Sequence, residues 1–106
     1  MFNFNRNQLS QEEAYKQLKN DKKIILIDVR TVEEFEEDGH VEGSINVPLH
    51  TIPTEFIKAA PDKNAKIFII CYSGARASDA TAYVKRLGYT DVHNIGGVAT
   101  QRFALV

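Results

Sequence analysis

Two rhythms of apolar residues alternate along this chain. Short, nearly continuous apolar runs are separated by stretches in which apolar residues recur every three or four positions. Lys23 to Val29 reads Lys-Ile-Ile-Leu-Ile-Asp-Val, a β-branched run bounded by charge, and predicts a strand buried on both faces, as in a parallel sheet. Ser44 to Val47 (halted by Pro48), Lys66 to Ile70 and Val92 to Ile95 predict further strands. Ser10-Gln11-Glu12-Glu13 has the form of a capping box and opens a helix to about Lys19, with Ala14 and Leu18 on one face. Thr31-Val32-Glu33-Glu34 is a second such box, opening a helix that Gly39 ends at its C′ position. A loop with His50 and Pro53 leads to a short helix near 54–60, and Pro61-Asp62 breaks it. Ala80, Tyr83, Val84 and Leu87 carry helical spacing through 77–87, and Gly88 stops that helix. Val98 to Val106 predicts a terminal helix. Strands alternating with helices imply an α/β fold, a parallel sheet covered by helices on both faces.

Composition narrows the function classes. The 106 residues suit one domain spanning 1–106, with 43% hydrophobic and 25% charged residues, an ordinary globular balance. A formal net charge of -1 gives no general attraction to nucleic acid or to an anionic membrane, so neither is expected as a partner. No apolar run approaches the roughly 20 residues of a bilayer span, and Met1 to Asn7 lacks the apolar centre of a signal peptide. The single cysteine cannot form an internal disulfide, which fits a reducing, cytoplasmic compartment.

That cysteine, Cys71, is the strongest chemical candidate. It ends the apolar run Ile67-Phe68-Ile69-Ile70 and begins the turn Cys71-Tyr72-Ser73-Gly74-Ala75-Arg76 before a helix. A thiolate is the reactive form of cysteine, and a helix N-terminus with a nearby arginine stabilises it. Gly74 permits a tight turn with successive amides aimed inward as an anion nest, and Arg76 adds donors suited to a multi-oxygen anion. Taken alone, a cysteine after an apolar run reads as an inert buried hydrophobe; the ordered set of strand, cysteine, glycine, arginine and helix favours a nucleophile. Ligands in open α/β sheets bind beyond the carboxyl ends of the strands, where Thr31, His50 and Gly96-Gly97 are also expected.

The remaining candidates carry less. His40, His50 and His93 lie far apart and no Cys/His spacing matches a zinc site, so no metal and no cofactor is expected. His40 reads as a structural hydrogen-bonding residue; His50 starts a loop at the strand end facing the proposed site, with a surface role the favoured reading. Asp28 and Arg30 read as a structural ion pair. Six of the 14 acids fall between Glu33 and Glu42, a solvated helix face in the ordinary reading and a partner-binding patch in the alternative. Gly96-Gly97 is too short for a phosphate loop.

In order, Ile27-Asp28-Val29-Arg30 with Glu33-Glu34-Phe35, Gly39-His40-Val41-Glu42-Gly43-Ser44-Ile45-Asn46-Val47-Pro48, Cys71-Tyr72-Ser73-Gly74-Ala75-Arg76-Ala77, and Leu87-Gly88-Tyr89 followed by Val92 to Val98 resemble the signatures of the single-domain rhodanese family of sulfurtransferases. The resemblance implies a five-stranded parallel sheet flanked by helices on both faces. It also implies that Cys71 takes sulfane sulfur from a small anionic donor such as thiosulfate, becomes a persulfide, and yields the sulfur to cyanide or a thiol, including a protein thiol. On the same reading the amides of Tyr72 through Arg76 hold the persulfide, and the side chains of Tyr72, Ser73, Ala75 and Arg76 shape donor choice. Four residues separate Cys71 from Arg76, one fewer than in the related Cys-based phosphatases and arsenate reductases of this fold, which favours sulfur over phosphorus. A non-enzymatic binding or sulfur-relay module is the competing reading. Two departures stand out: Ala77 replaces a hydroxyl residue common after the arginine, and Val98-Ala99-Thr100-Gln101-Arg102 replaces an aromatic-containing segment.

Overall fold

The computed structural model describes residues 9–100 and 104–106. Within them the chain runs α1 (Gln11–Asn20), β1 (Ile25–Asp28), α2 (Val32–Glu37), β2 (Ile45–Asn46), α3 (Ile52–Ala59), β3 (Ile67–Cys71), α4 (Ala75–Arg86) and β4 (Val92–Gly97), with 3-10 turns at Leu49–Thr51 and Val98–Thr100. The strands form one parallel sheet in the order β2-β1-β3-β4. No helix among the described residues is long and apolar enough to cross a membrane.

The period-two alternation in the strands sorts the core into two layers. Ile27, Val29, Ile67, Ile69 and Cys71 face α3 and α4 and pack with Phe56, Ala77, Ala80 and Val84. Leu26, Phe68, Ile70 and Ile95 face the other way and pack with Ala14 of α1, Val41 and Val98. All five residues of β3 are buried, which explains why its sequence is apolar throughout.

Helix starts follow capping chemistry. Ser10 accepts from the Glu13 amide, and Thr31 and Glu34 form a complete capping box at α2. Gly39, past the end of α2, takes φ +87, as a C′ glycine should. Gly74 is the N-cap of α4 with φ +105, so that helix begins at Ala75, two residues before the expected start. α3 likewise starts early at Ile52, because Pro53 suits the first turn.

Two expectations are corrected. The sheet has four strands among the described residues, not the five that family resemblance implies. The expected C-terminal helix is absent where the chain is described: Val98–Thr100 is a 3-10 turn, and Leu105 is extended in an antiparallel bridge to Val41. His40 and Val106 exchange two backbone hydrogen bonds there, at 3.1 and 2.7 Å, and these compete successfully with a helical turn. The middle of that segment, 101–103, and the N-terminal stretch Met1 to Asn7 lie outside the described residues.

Candidate active site

Cys71 is the last residue of β3, on the α4 face, and only 1% of its surface is exposed. Its environment combines burial with two backbone donors. The Gly74 amide donates to Sγ at 2.9 Å and the Ala77 amide at 3.4 Å. Sulfur thus caps the N-terminus of α4, occupying the place a serine or aspartate oxygen takes at other helices.

A bulge brings the last strand against this loop. Ile69 pairs with Asn94, but Cys71 pairs with Gly97, so β4 carries one extra residue between the two pairs. Gly96 takes φ +91 in the bulge, and its amide donates to Asn94 Oδ1 at 2.8 Å. Asn94 Nδ2 donates to the Gly74 carbonyl at 3.4 Å, tying the bulge to the N-cap. Gly97 then lies directly under the loop backbone: a Cβ there would collide with the Tyr72 carbonyl group. The Ala99 amide donates to the Tyr72 carbonyl at 2.8 Å, and Gln11 Nε2 donates to the carbonyls of Ile95 and Gly97. The loop is held by backbone contacts from β4 and the turn after it. Gly96-Gly97, too short to bind phosphate, serves as the seat of the cysteine loop.

The loop side chains divide sharply. Tyr72, Ser73 and Ala75 are exposed, Tyr72 at 55%. Arg76 is half-buried and bound to α2: Nη1 donates to Glu34 Oε1 at 2.7 Å and Nη2 to Oε2 at 3.0 Å. Glu34 Oε1 also accepts from the Thr31 amide at 3.0 Å and hydroxyl at 3.2 Å. Arg76 holds the Glu34 carboxyl at about 2, against its usual 4.5, and Glu34 in turn raises the Arg76 guanidinium. Arg76 is therefore not the free cation its place in the loop suggested.

Further out, Asp28 and Arg30 are the structural pair their spacing predicted, fully buried, with Arg30 Nη2 2.9 Å from Asp28 Oδ2. Arg30 Nη2 also donates to the Gly39 carbonyl at 2.7 Å, so the pair ties the chain just past the C-terminal end of α2 to β1. His40 has the structural role expected, with Nδ1 2.9 Å from the Phe35 carbonyl and its ring stacked on Phe35. His50 is exposed on the 3-10 turn after β2 and lines a shallow groove with Asp79, Tyr83 and Arg86. No hydrogen bond among the described residues joins it to the Cys71 loop.

Sequence reasoning missed three contributors. The Ala77 amide reaches Sγ although Ala77 was singled out only for its missing hydroxyl. Gly97 is expected at the site, but not as the residue on which the loop backbone rests, and Glu34 reads as a capping residue within a run of six acids. The capping-box position of Glu34 was readable, whereas its partner 42 positions away was not.

Comparison with known proteins agrees with this architecture. A family model described as Rhodanese-like domain matches residues 10–99. The thiosulfate sulfurtransferase PspE of Escherichia coli (strain K12) is 38% identical over 72 residues, covering 68% of each chain. A sulfurtransferase of Allochromatium vinosum is 31% identical over 91 residues, covering 86% of this chain and 82% of its own. Among solved structures, an E. coli rhodanese with anions superposes with a TM-score of 0.72 at 35% identity, over 78% of this chain and 96% of that one. A cysteine seated at the end of a central parallel strand, the family match over most of the chain and these relatives lead to one conclusion: the chain belongs to the rhodanese-like domain family.

Proposed function

We propose that residues 1–106 form one rhodanese-like sulfurtransferase domain that moves sulfane sulfur through a Cys71 persulfide. The observation that carries this reading is the pair of amides, Gly74 and Ala77, aimed at Sγ. In the first half-reaction the Cys71 thiolate attacks the terminal sulfur of a donor such as thiosulfate. A sulfur–sulfur bond forms at Cys71, the donor's own sulfur–sulfur bond breaks, and sulfite leaves with the electron pair. In the second, a thiolate or cyanide attacks the outer sulfur, and Cys71 departs as the thiolate. The amides serve both halves, because the cysteine sulfur is anionic as nucleophile and again as leaving group. Tyr72, Ser73 and Ala75 surround the incoming donor, while Gly74 shapes the turn.

No cofactor enters this chemistry. Relatives named thiosulfate sulfurtransferase support the donor class. The single unpaired thiol suits a reducing compartment such as the cytoplasm. Phosphoryl transfer is disfavoured by the four-residue spacing and by the engagement of Arg76 with Glu34, which leaves less of the guanidinium for a tetrahedral anion. The test is single-turnover release of sulfite from thiosulfate by the reduced protein: stoichiometric sulfite is expected from wild type and none from Cys71→Ser. Equal release by both variants would refute the assignment of Cys71.

A further inference from the structure

Charge around Cys71 is compensated to a degree the loop sequence does not suggest. Arg76 is the one charged side chain of the stretch 71–77, and Glu34 faces it with both carboxylate oxygens, at 2.7 and 3.0 Å. The next charged pair inward, Arg30 with Asp28, is also closed on itself at 2.9 Å. Glu34, the Cys71 sulfur and Asp28 are the groups that act on Arg76 through space, and each favours its charged form. Glu34 cannot turn away cheaply, since the Thr31 amide and hydroxyl also hold Oε1. Among the described residues it is the one member of the acidic run hydrogen-bonded to the cysteine loop; Glu33, Glu36, Glu37, Asp38 and Glu42 are all exposed.

We infer that Glu34 selects the sulfur donor by charge: clamped on Arg76, it keeps the surroundings of Cys71 near neutrality and favours monoanionic donors, such as organic thiosulfonates and persulfides, over dianionic thiosulfate. This rests on the sulfur-transfer reading of Cys71. The chemistry is the same for both donor classes. Methanethiosulfonate gives its terminal sulfur to the Cys71 thiolate as the sulfur–sulfur bond breaks and methanesulfinate leaves with the electron pair; thiosulfate does likewise and releases sulfite. Only the charge differs. Coulomb energy is proportional to ligand charge, so deleting the Glu34 charge changes dianion affinity by about the square of its effect on a monoanion. About threefold for the monoanion therefore becomes about tenfold for the dianion, and added salt shrinks both.

Glu34→Gln tests this with little structural disturbance, because glutamine also completes a capping box. Binding is measured by calorimetry in a Cys71→Ser background, where no transfer occurs, with thiosulfate and methanethiosulfonate as ligands at low and high salt. Glu34→Gln is expected to tighten thiosulfate about tenfold and methanethiosulfonate about threefold at low salt. Glu33→Gln, which removes an exposed charge one position away, is expected to change either by less than twofold. Equal changes for both anions, no change, or binding of neither anion by any variant would overturn the proposal. Kinetics of the Cys71 protein with the same donors keep the two readings apart: absent sulfur transfer would defeat the proposed reaction, whereas the binding comparison judges Glu34 by itself.

Discussion

Arg76 and Glu34 have to be considered as one unit. Removing the arginine alone leaves the Glu34 carboxylate without its cation, so Arg76→Ala should lower kcat/KM for thiosulfate by more than tenfold, with Glu34→Gln in the same chain restoring part of the loss. A double mutant whose change equals the product of the two single changes would show the two side chains acting separately. The pair also carries a pH signature. The folded-state pKa of Glu34 is depressed to about 2, so its contribution is complete above the ordinary 4.5 and is lost as pH falls toward 2. With both partners about one-third exposed, the contribution is about 1 kcal/mol. Thermal melts should show wild type more stable than Glu34→Gln at pH 7 and the gap closing by pH 2; a constant gap would exclude the ion pair as its source. Gly97 fails differently on substitution. A side chain there meets the Tyr72 carbonyl, so Gly97→Ala should cost about 2 kcal/mol or more in urea denaturation and displace the cysteine loop.

At the scale of elements, the site is made by the junction of β3 with α4 and by the bulge in β4. Most of this junction was legible: the apolar run placed Cys71 at a strand end, and Gly74 marked the turn. The bulge was not, because Asn94, Gly96 and Gly97 reveal it only through register against β3. Such pairing is a tertiary fact that local pattern does not encode. The strands show the same division. Four apolar runs yielded four strands, and the fifth came from resemblance and is absent among the described residues. The C-terminal misreading had the same origin, since Leu105 finds its partner at Val41, far back in the chain. Asp28 and Arg30 belong to this scale too, joining β1 to the end of α2. Arg30→Met would strand a buried carboxylate, and chemical denaturation should show a loss of about 3–5 kcal/mol. A loss below about 1 kcal/mol would mean that Asp28 finds another partner or a proton.

For the molecule as a whole, the sheet presents a cysteine sulfur that is buried yet accepts from two backbone amides. A sulfur 1% exposed is shielded from bulky reagents, while the Gly74 and Ala77 amides donate to it. Those properties suit a carrier of one small atom. Burial by itself suits an inert core cysteine, and the two amide donors are what support the proposed carrier role. The most direct test is intact-protein mass spectrometry after treating the reduced protein with a panel of sulfane donors, thiosulfate and methanethiosulfonate among them. Wild type should gain one sulfur atom, lose it again to cyanide or a thiol, and show no gain as Cys71→Ser. No gain with any donor, or an equal gain in the Cys71→Ser protein, would contradict a Cys71 persulfide.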